Sequence, residues 1–170
     1  MEVKWIGAVL VFAGCGSVGL AMALNGKREI LCLRELICAL EYMSCELEYR
    51  LPSLPELCIK TSEQCTGNVS AVFKNLGKEL EAQISPDVSC CMAAALQKGN
   101  QIPELCRNFL LSLGKTLGQF DLEGQQKGLA KVHKNCEQAL LRLENNGKER
   151  LRSYQTLGLC AGAALAILLI

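Results

Sequence analysis

Apolar residues fill both ends of this chain, and helical periodicity takes over between them. Trp5 to Leu24 runs twenty residues without a charge, and Leu157 to Ile170 runs fourteen more. A spanning helix needs about 20 apolar residues at ~1.5 Å each to cross ~30 Å of hydrocarbon, so the first stretch is long enough alone. The second reaches that length only by recruiting Tyr154 to Thr156. The pattern predicts an N-terminal transmembrane segment over residues 1–25, a helical domain over 26–154 and a C-terminal transmembrane segment over 155–170.

Six amphipathic helices are expected in the domain, with no convincing period-2 run. From Gly26 to Arg50, Ile30, Leu33, Ile37, Leu40, Leu47 and Leu51 recur at three-, four- or seven-residue steps, which makes one apolar stripe. Pro52 ends that helix, because proline disfavours helix in the residue before it. Ser53 and Glu56 have the form of a capping box for a second helix reaching Cys65. Thr66-Gly67-Asn68 marks a turn, and Val69 to Ile84 forms a third helix with Val72, Phe73, Leu76 and Leu80 inward. Ser85-Pro86-Asp87 starts a fourth, with proline in the first turn, ending at Gly99-Asn100. Pro103 opens a fifth that buries Leu105, Cys106, Phe109, Leu110, Leu113 and Leu117. The sixth begins near Asp121 and runs past Leu129, Val132 and Cys136 toward Tyr154, with Asn145-Asn146-Gly147 as its one weak point.

Charge narrows the partners. Eighteen Lys and Arg oppose seventeen Asp and Glu, without a block of like charge, so neither a nucleic-acid groove nor a polybasic arm is expected. Lys27, Arg28 and Arg34 follow the first apolar stretch and Lys148, Arg150 and Arg152 precede the second, whereas only Lys4 lies on the far side. Basic residues near a span are retained inside, which puts the domain in the cytoplasm and both termini outside. Ala21-Met22-Ala23 and Phe12-Ala13-Gly14-Cys15 resemble processing sites that would reverse this, but the cations after the span and the apolar run beyond Cys15 favour a retained helix.

Eleven cysteines carry less chemistry than their number suggests. Nine fall in the domain at irregular spacing, no Cys-x-x-Cys occurs, and His133 with Cys136 supplies two ligands where a structural zinc site needs four. Reduced cysteines serving as small core hydrophobes are expected, with Cys90-Cys91 the place to test. A cysteine-based redox or metal sensor is the alternative. There is no phosphate loop, no Gly-x-Ser-x-Gly and no histidine beyond His133, so no enzyme and no cofactor are expected.

Leu117-Gly118-Gln119-Phe120-Asp121-Leu122-Glu123-Gly124-Gln125 departs from generic helix. Taken with Ala39-Leu40-Glu41, Glu46-Leu47-Glu48-Tyr49, Leu54 and the closing Leu157-Gly158, Ala161-Gly162 and Leu168-Leu169, it closely resembles the stage III sporulation protein AB family over the whole chain. Two departures stand out: prolines flank the usual proline position, at Pro52 and Pro55, and the chain is cysteine-rich. The resemblance implies a component of the channel between mother cell and forespore, on which late forespore gene expression depends. It also implies a domain similar to the platform protein of type II secretion and type IV pilus systems. The implied partners are other proteins of the stage III sporulation A operon, including its secretion-type ATPase. The implied location is the mother-cell membrane around the forespore.

The residues themselves leave each candidate site with two readings. Gly118 suits a left-handed helix end, Asp121 a helix cap and Gln125 a brace one turn later, so the motif is either a fold-making corner or a partner contact. Glu46 and Tyr49, off the stripe near the end of the first helix, form either a solvated face or a docking edge. Ala13, Ser17 and Ala21, and Gly158, Gly162 and Ala166, repeat at four residues and offer small-residue grooves for packing between spans, within a chain or in a homo-oligomer. The expectation is an all-α, six-helix cytoplasmic bundle with one transmembrane helix at each end, acting as a non-enzymatic scaffold in contact with the lipid bilayer.

Overall fold

A computed structural model describes the backbone of residues 2–83, 87–98, 102–117 and 122–169, and the side chains of these between 26 and 146. Among the described residues the chain is all-helical: α1 (Glu2–Tyr49), α2 (Leu54–Gln64), α3 (Gly67–Glu81), α4 (Val88–Lys98), α5 (Glu104–Thr116) and α6 (Leu122–Leu169). The two long helices pack on each other, and the four short ones form a meander in which each helix packs on the next. The end of the meander returns through α5 to both α1 and α6. Gly26 lies inside α1 and Asn145-Asn146-Gly147 inside α6, so neither interrupts its helix.

The core is continuous from α1 to α6. Leu33, Leu36, Leu40 and Met43 of α1 meet Leu57, Phe73, Leu76, Met92, Leu110, Leu113 and Leu129, all fully buried. Each such side chain contributes about 1.5–3 kcal/mol on leaving water. The buried arc of α1 is wider than the stripe expected from periodicity. Leu36, Ala39 and Met43 are buried, Ile30 and Ile37 only half so, and Leu51 is exposed. The reason is that α1 is contacted by α2, α3, α5 and α6, which together cover the face through Leu36, Ala39 and Met43, while Leu31, Arg34, Cys38, Glu41 and Cys45 stay exposed on the other.

Consecutive helices approach closely at small residues. A Cβ on Gly77 would lie 2.6 Å from Ile59 Cγ1 across α2 and α3, and one on Gly114 would lie 2.8 Å from Met92 Cβ across α4 and α5. The buried hydroxyls need no partner from elsewhere. Thr61 Oγ1 donates to Leu57 O at 2.7 Å and Ser62 Oγ to Ile59 O at 2.6 Å, each within α2.

Several helix ends differ from expectation. Ser53 precedes α2 but its side chain makes no capping bond, and Glu56 pairs with Lys60 at 2.7 Å, so the capping box does not form. The expected turn at Gly67 is the first residue of α3, which ends at Glu81, and Ile84, its expected last residue, lies outside the described residues. For α4, which begins at Val88, the cap is Asp87, whose Oδ1 accepts from the Ser89 N–H at 3.1 Å; Ser85 and Pro86, expected at its start, lie outside the described residues. Ordinary carboxyls there titrate near 3.8; the Ser89 hydroxyl and amide hold Asp87 below that.

Candidate functional site

Two ion pairs fix the relation of α1 to α6. Arg34 reaches Glu144 at 2.7 Å, and Glu41 lies 3.4 Å from His133 Nε2. As the first number rises the second falls, so the helices are antiparallel and their apolar ends emerge from the same end of the bundle. Eight residues beyond Glu41 on α1 is Tyr49, and eight before His133 on α6 is Gln125. Both are ~12 Å from that pair at the helical rise, which brings Tyr49 and Gln125 to the same height within about a turn. The two candidate motifs, remote in sequence, therefore share the far end of the bundle.

That end exposes apolar side chains beside the charged Glu48, Arg50 and Glu123. Tyr49 is 80% exposed, Leu51 60% and Leu122 41%. Leu51 also adopts φ 49°, a left-handed conformation that ordinarily goes to glycine when a helix closes. Its N–H donates to Glu46 O at 3.2 Å, completing the end of α1 ahead of Pro52. Sequence reading placed Leu51 inside the apolar stripe; the proline forces it out of the helix instead.

Glu46 is not the solvated carboxylate that its position off the stripe suggested. It is half-buried between α1 and α2, and its Oε2 has no hydrogen-bond partner among the described residues. The Tyr42 hydroxyl donates to the Glu46 carboxylate, and burial followed by that negative charge pushes the phenol up from its ordinary 10.0. Lys60 of α2 lies near enough for Glu46 to hold its ammonium protonated, an effect smaller than that of its bond to Glu56.

The corner between α5 and α6 is tight. A Cβ on Gly128 would collide with Cγ2 of Thr116, whose hydroxyl is tied to Ser112 O at 2.8 Å. Gly128 was missed in the sequence, since a lone glycine on a helix gives no signal of what crosses it. Gln125 is half-buried beside this crossing, whereas Gly118 and Asp121 lie outside the described residues. Ala13, Ser17, Ala21, Gly158, Gly162 and Ala166 lie in helical stretches whose side chains are outside the described ones. Among the described residues no helix is long and apolar enough to cross a membrane, and both stretches expected to do so fall outside that set.

The cysteines divide by position. Cys38, Cys45 and Cys90 are exposed; Cys32, Cys58, Cys65, Cys91, Cys106 and Cys136 are buried as free thiols. Cys90 and Cys91 thus face opposite environments. Cys32, Cys106 and Cys136 converge from α1, α5 and α6, and the contact with Cys32 raises the Cys106 thiol most. Burial pushes Cys58 and Cys136 up to about 12. His133 does not share a site with Cys136: it lies between Glu41 and Glu137, at 3.4 and 3.8 Å, while Cys136 is in the core. Among the described residues no group of three or more His, Cys, Asp or Glu is placed to hold a metal ion.

An antiparallel pair of long helices closed by a four-helix meander defines a helical bundle protein. The chain belongs to the stage III sporulation protein AB family, whose pattern matches residues 4–170. It is similar in fold to a solved stage III sporulation protein AB structure, with a TM-score of 0.62 at 20% identity, covering 71% of this chain and 97% of that one. No curated protein matches it. Its role lies in sporulation.

Proposed function

We propose that this chain is a non-enzymatic platform of the sporulation channel, held in the mother-cell membrane by segments 1–25 and 155–170, with domain 26–154 in the cytoplasm. The observation that carries the reading is the arrangement of α1 and α6. Both helices are continuous with the apolar termini at one end, and both deliver exposed apolar residues, Tyr49, Leu51 and Leu122, at the other. Such a rod locates a partner at a fixed height above the bilayer. The far end would dock the secretion-type ATPase of the same operon through its exposed side chains. The work is positional, and no bond is made or broken. Burial of the clustered thiols supports a packing role for them over the redox-sensor alternative.

Photo-crosslinkers placed at Tyr49 and Leu122 in sporulating cells test this. Recovery of the ATPase from these positions and not from Lys131, exposed on the side of α6, is the expected result. Its absence from both would remove the docking proposal.

A further inference from the structure

The opposite end of the bundle carries a second feature. A groove of about 500 Å3 opens between α1 and the starts of α3 and α5, lined by Arg28, Leu31, Glu35, Gly67, Asn68 and Pro103 among others. On α1 the residues Arg28, Leu31 and Glu35 fall at three- and four-residue steps and share one face. Arg28 is exposed and Leu31 is 58% exposed. Glu35 is held in place: its carboxylate accepts the Val69 N–H and fills the space above Gly67. An ionised carboxylate accepts about four hydrogen bonds, so capacity remains on the groove side.

The order of these groups along the helix has chemical content. Leu24 closes the first apolar stretch, and Arg28 follows four residues later, about 6 Å on. Glu35 is about 10 Å further, and side chains on a helix lean toward its N-terminus, which on α1 is toward the apolar end. Moving away from the apolar stretch, a bound molecule meets a cation, then an apolar contact, then an anion. A zwitterionic phospholipid presents the complementary order, its phosphate nearer the hydrocarbon and its ammonium further out.

We infer that this groove binds the headgroup of a phospholipid bearing a primary ammonium, phosphatidylethanolamine, with phosphate on Arg28 and ammonium on Glu35. The inference rests on the membrane anchoring proposed above. A primary ammonium has three N–H donors, at least one of which can reach the carboxylate; the trimethylated ammonium of phosphatidylcholine has none and is bulkier. An anionic headgroup such as that of phosphatidylglycerol satisfies Arg28 but brings Glu35 only neutral hydroxyl donors, without the attraction of a cation.

The test uses the full chain in detergent micelles with equal amounts of the three lipids, read by native mass spectrometry, after alkaline extraction of cell membranes has established anchoring. The expected result is one retained phosphatidylethanolamine, preferred about tenfold over phosphatidylcholine, the scale of one charge-assisted hydrogen bond. Arg28→Gln lowers retention of all three lipids, and Glu35→Gln, which keeps an acceptor for Val69, abolishes the preference alone. Equal retention of the three lipids, preference for phosphatidylglycerol, or retention unchanged in both variants overturns the inference. A chain removed by alkaline extraction overturns the anchoring itself, a distinguishable failure.

Discussion

The carboxylate of Glu35 on α1 occupies the volume that a side chain on Gly67 would need, at the first residue of α3. Gly67 has φ 71°, open to glycine and costly to other residues, and the carboxylate then caps the helix through the Val69 N–H. Thr66 makes no capping bond with its own side chain, so α3 takes its cap from another helix. Gly67→Ala is expected to cost about 1–3 kcal/mol, from backbone strain and the displaced cap, in denaturant unfolding followed by circular dichroism. Glu35→Gln should stay near the parent.

Two carboxylates give opposite acid responses. Burial raises the Glu35 carboxyl above its ordinary 4.5, so its charge opposes folding at neutral pH and that penalty fades as pH falls toward and below its folded-state value. Asp87 is held below 3.8 by Ser89, so its contribution is full above 3.8 and is lost as pH falls through its lower folded-state value. Asp87→Ala should destabilise at pH 7, with a difference from the parent that shrinks as pH falls below 3.8. Unfolding midpoints between pH 7 and 2.5 check both signs.

Thiol labelling at pH 8 should divide the domain's cysteines by burial. Cys38, Cys45 and Cys90 react rapidly, while Cys58, Cys106 and Cys136, buried and raised, react only as the bundle opens. Peptide mapping after brief exposure to a maleimide identifies them. Rapid modification of Cys106 would count against the packing shown by the three-thiol cluster.

Gly128→Ala should loosen the α5–α6 corner by about 1–3 kcal/mol, since the methyl must displace Thr116. If the corner is chiefly structural, sporulation should fall in step with stability. Restoration by Gly128→Ala combined with Thr116→Ser, which removes the colliding methyl, would confirm the steric cause.

At the far end, stability and function should part. Leu51→Gly relieves a left-handed leucine, a relief of about 1–2 kcal/mol offset in part by a more flexible unfolded chain. The expected outcome is a domain at least as stable as the parent with reduced recovery of the ATPase from sporulating cells. Retained recovery would show that the exposed leucine serves no partner.

The order of helices was legible because their apolar repeats are local: Val72, Phe73 and Leu76, or Cys106, Leu110 and Leu113, need only their own turns to be recognised. Leu36 and Met43 are not evident from the repeat because their burial depends on where the four other helices pack against α1. Ser53 misled because a capping sequence does not oblige the hydroxyl to bond when proline already supplies the helix start. The partnership of Glu35 with Gly67 joins residues of different helices, and neither announces the other. Tyr49 and Gln125 stand in separate motifs of the sequence; their shared height follows only from the antiparallel register set by Glu41 and His133.

The Arg34–Glu144 pair spans 110 positions of sequence. Neighbouring helices α2 to α5 can associate as they emerge from the ribosome, but the α6 side of α1 stays open until almost all of the chain has been made. Closing so long a loop costs little more entropy than closing a short one, so the delay is one of time rather than of stability. Completion of the bundle therefore coincides with delivery of the last apolar stretch, and a chain cut short before α6 leaves the core of α1 uncovered. The architecture makes the final third of the protein the step that commits the whole to its folded state.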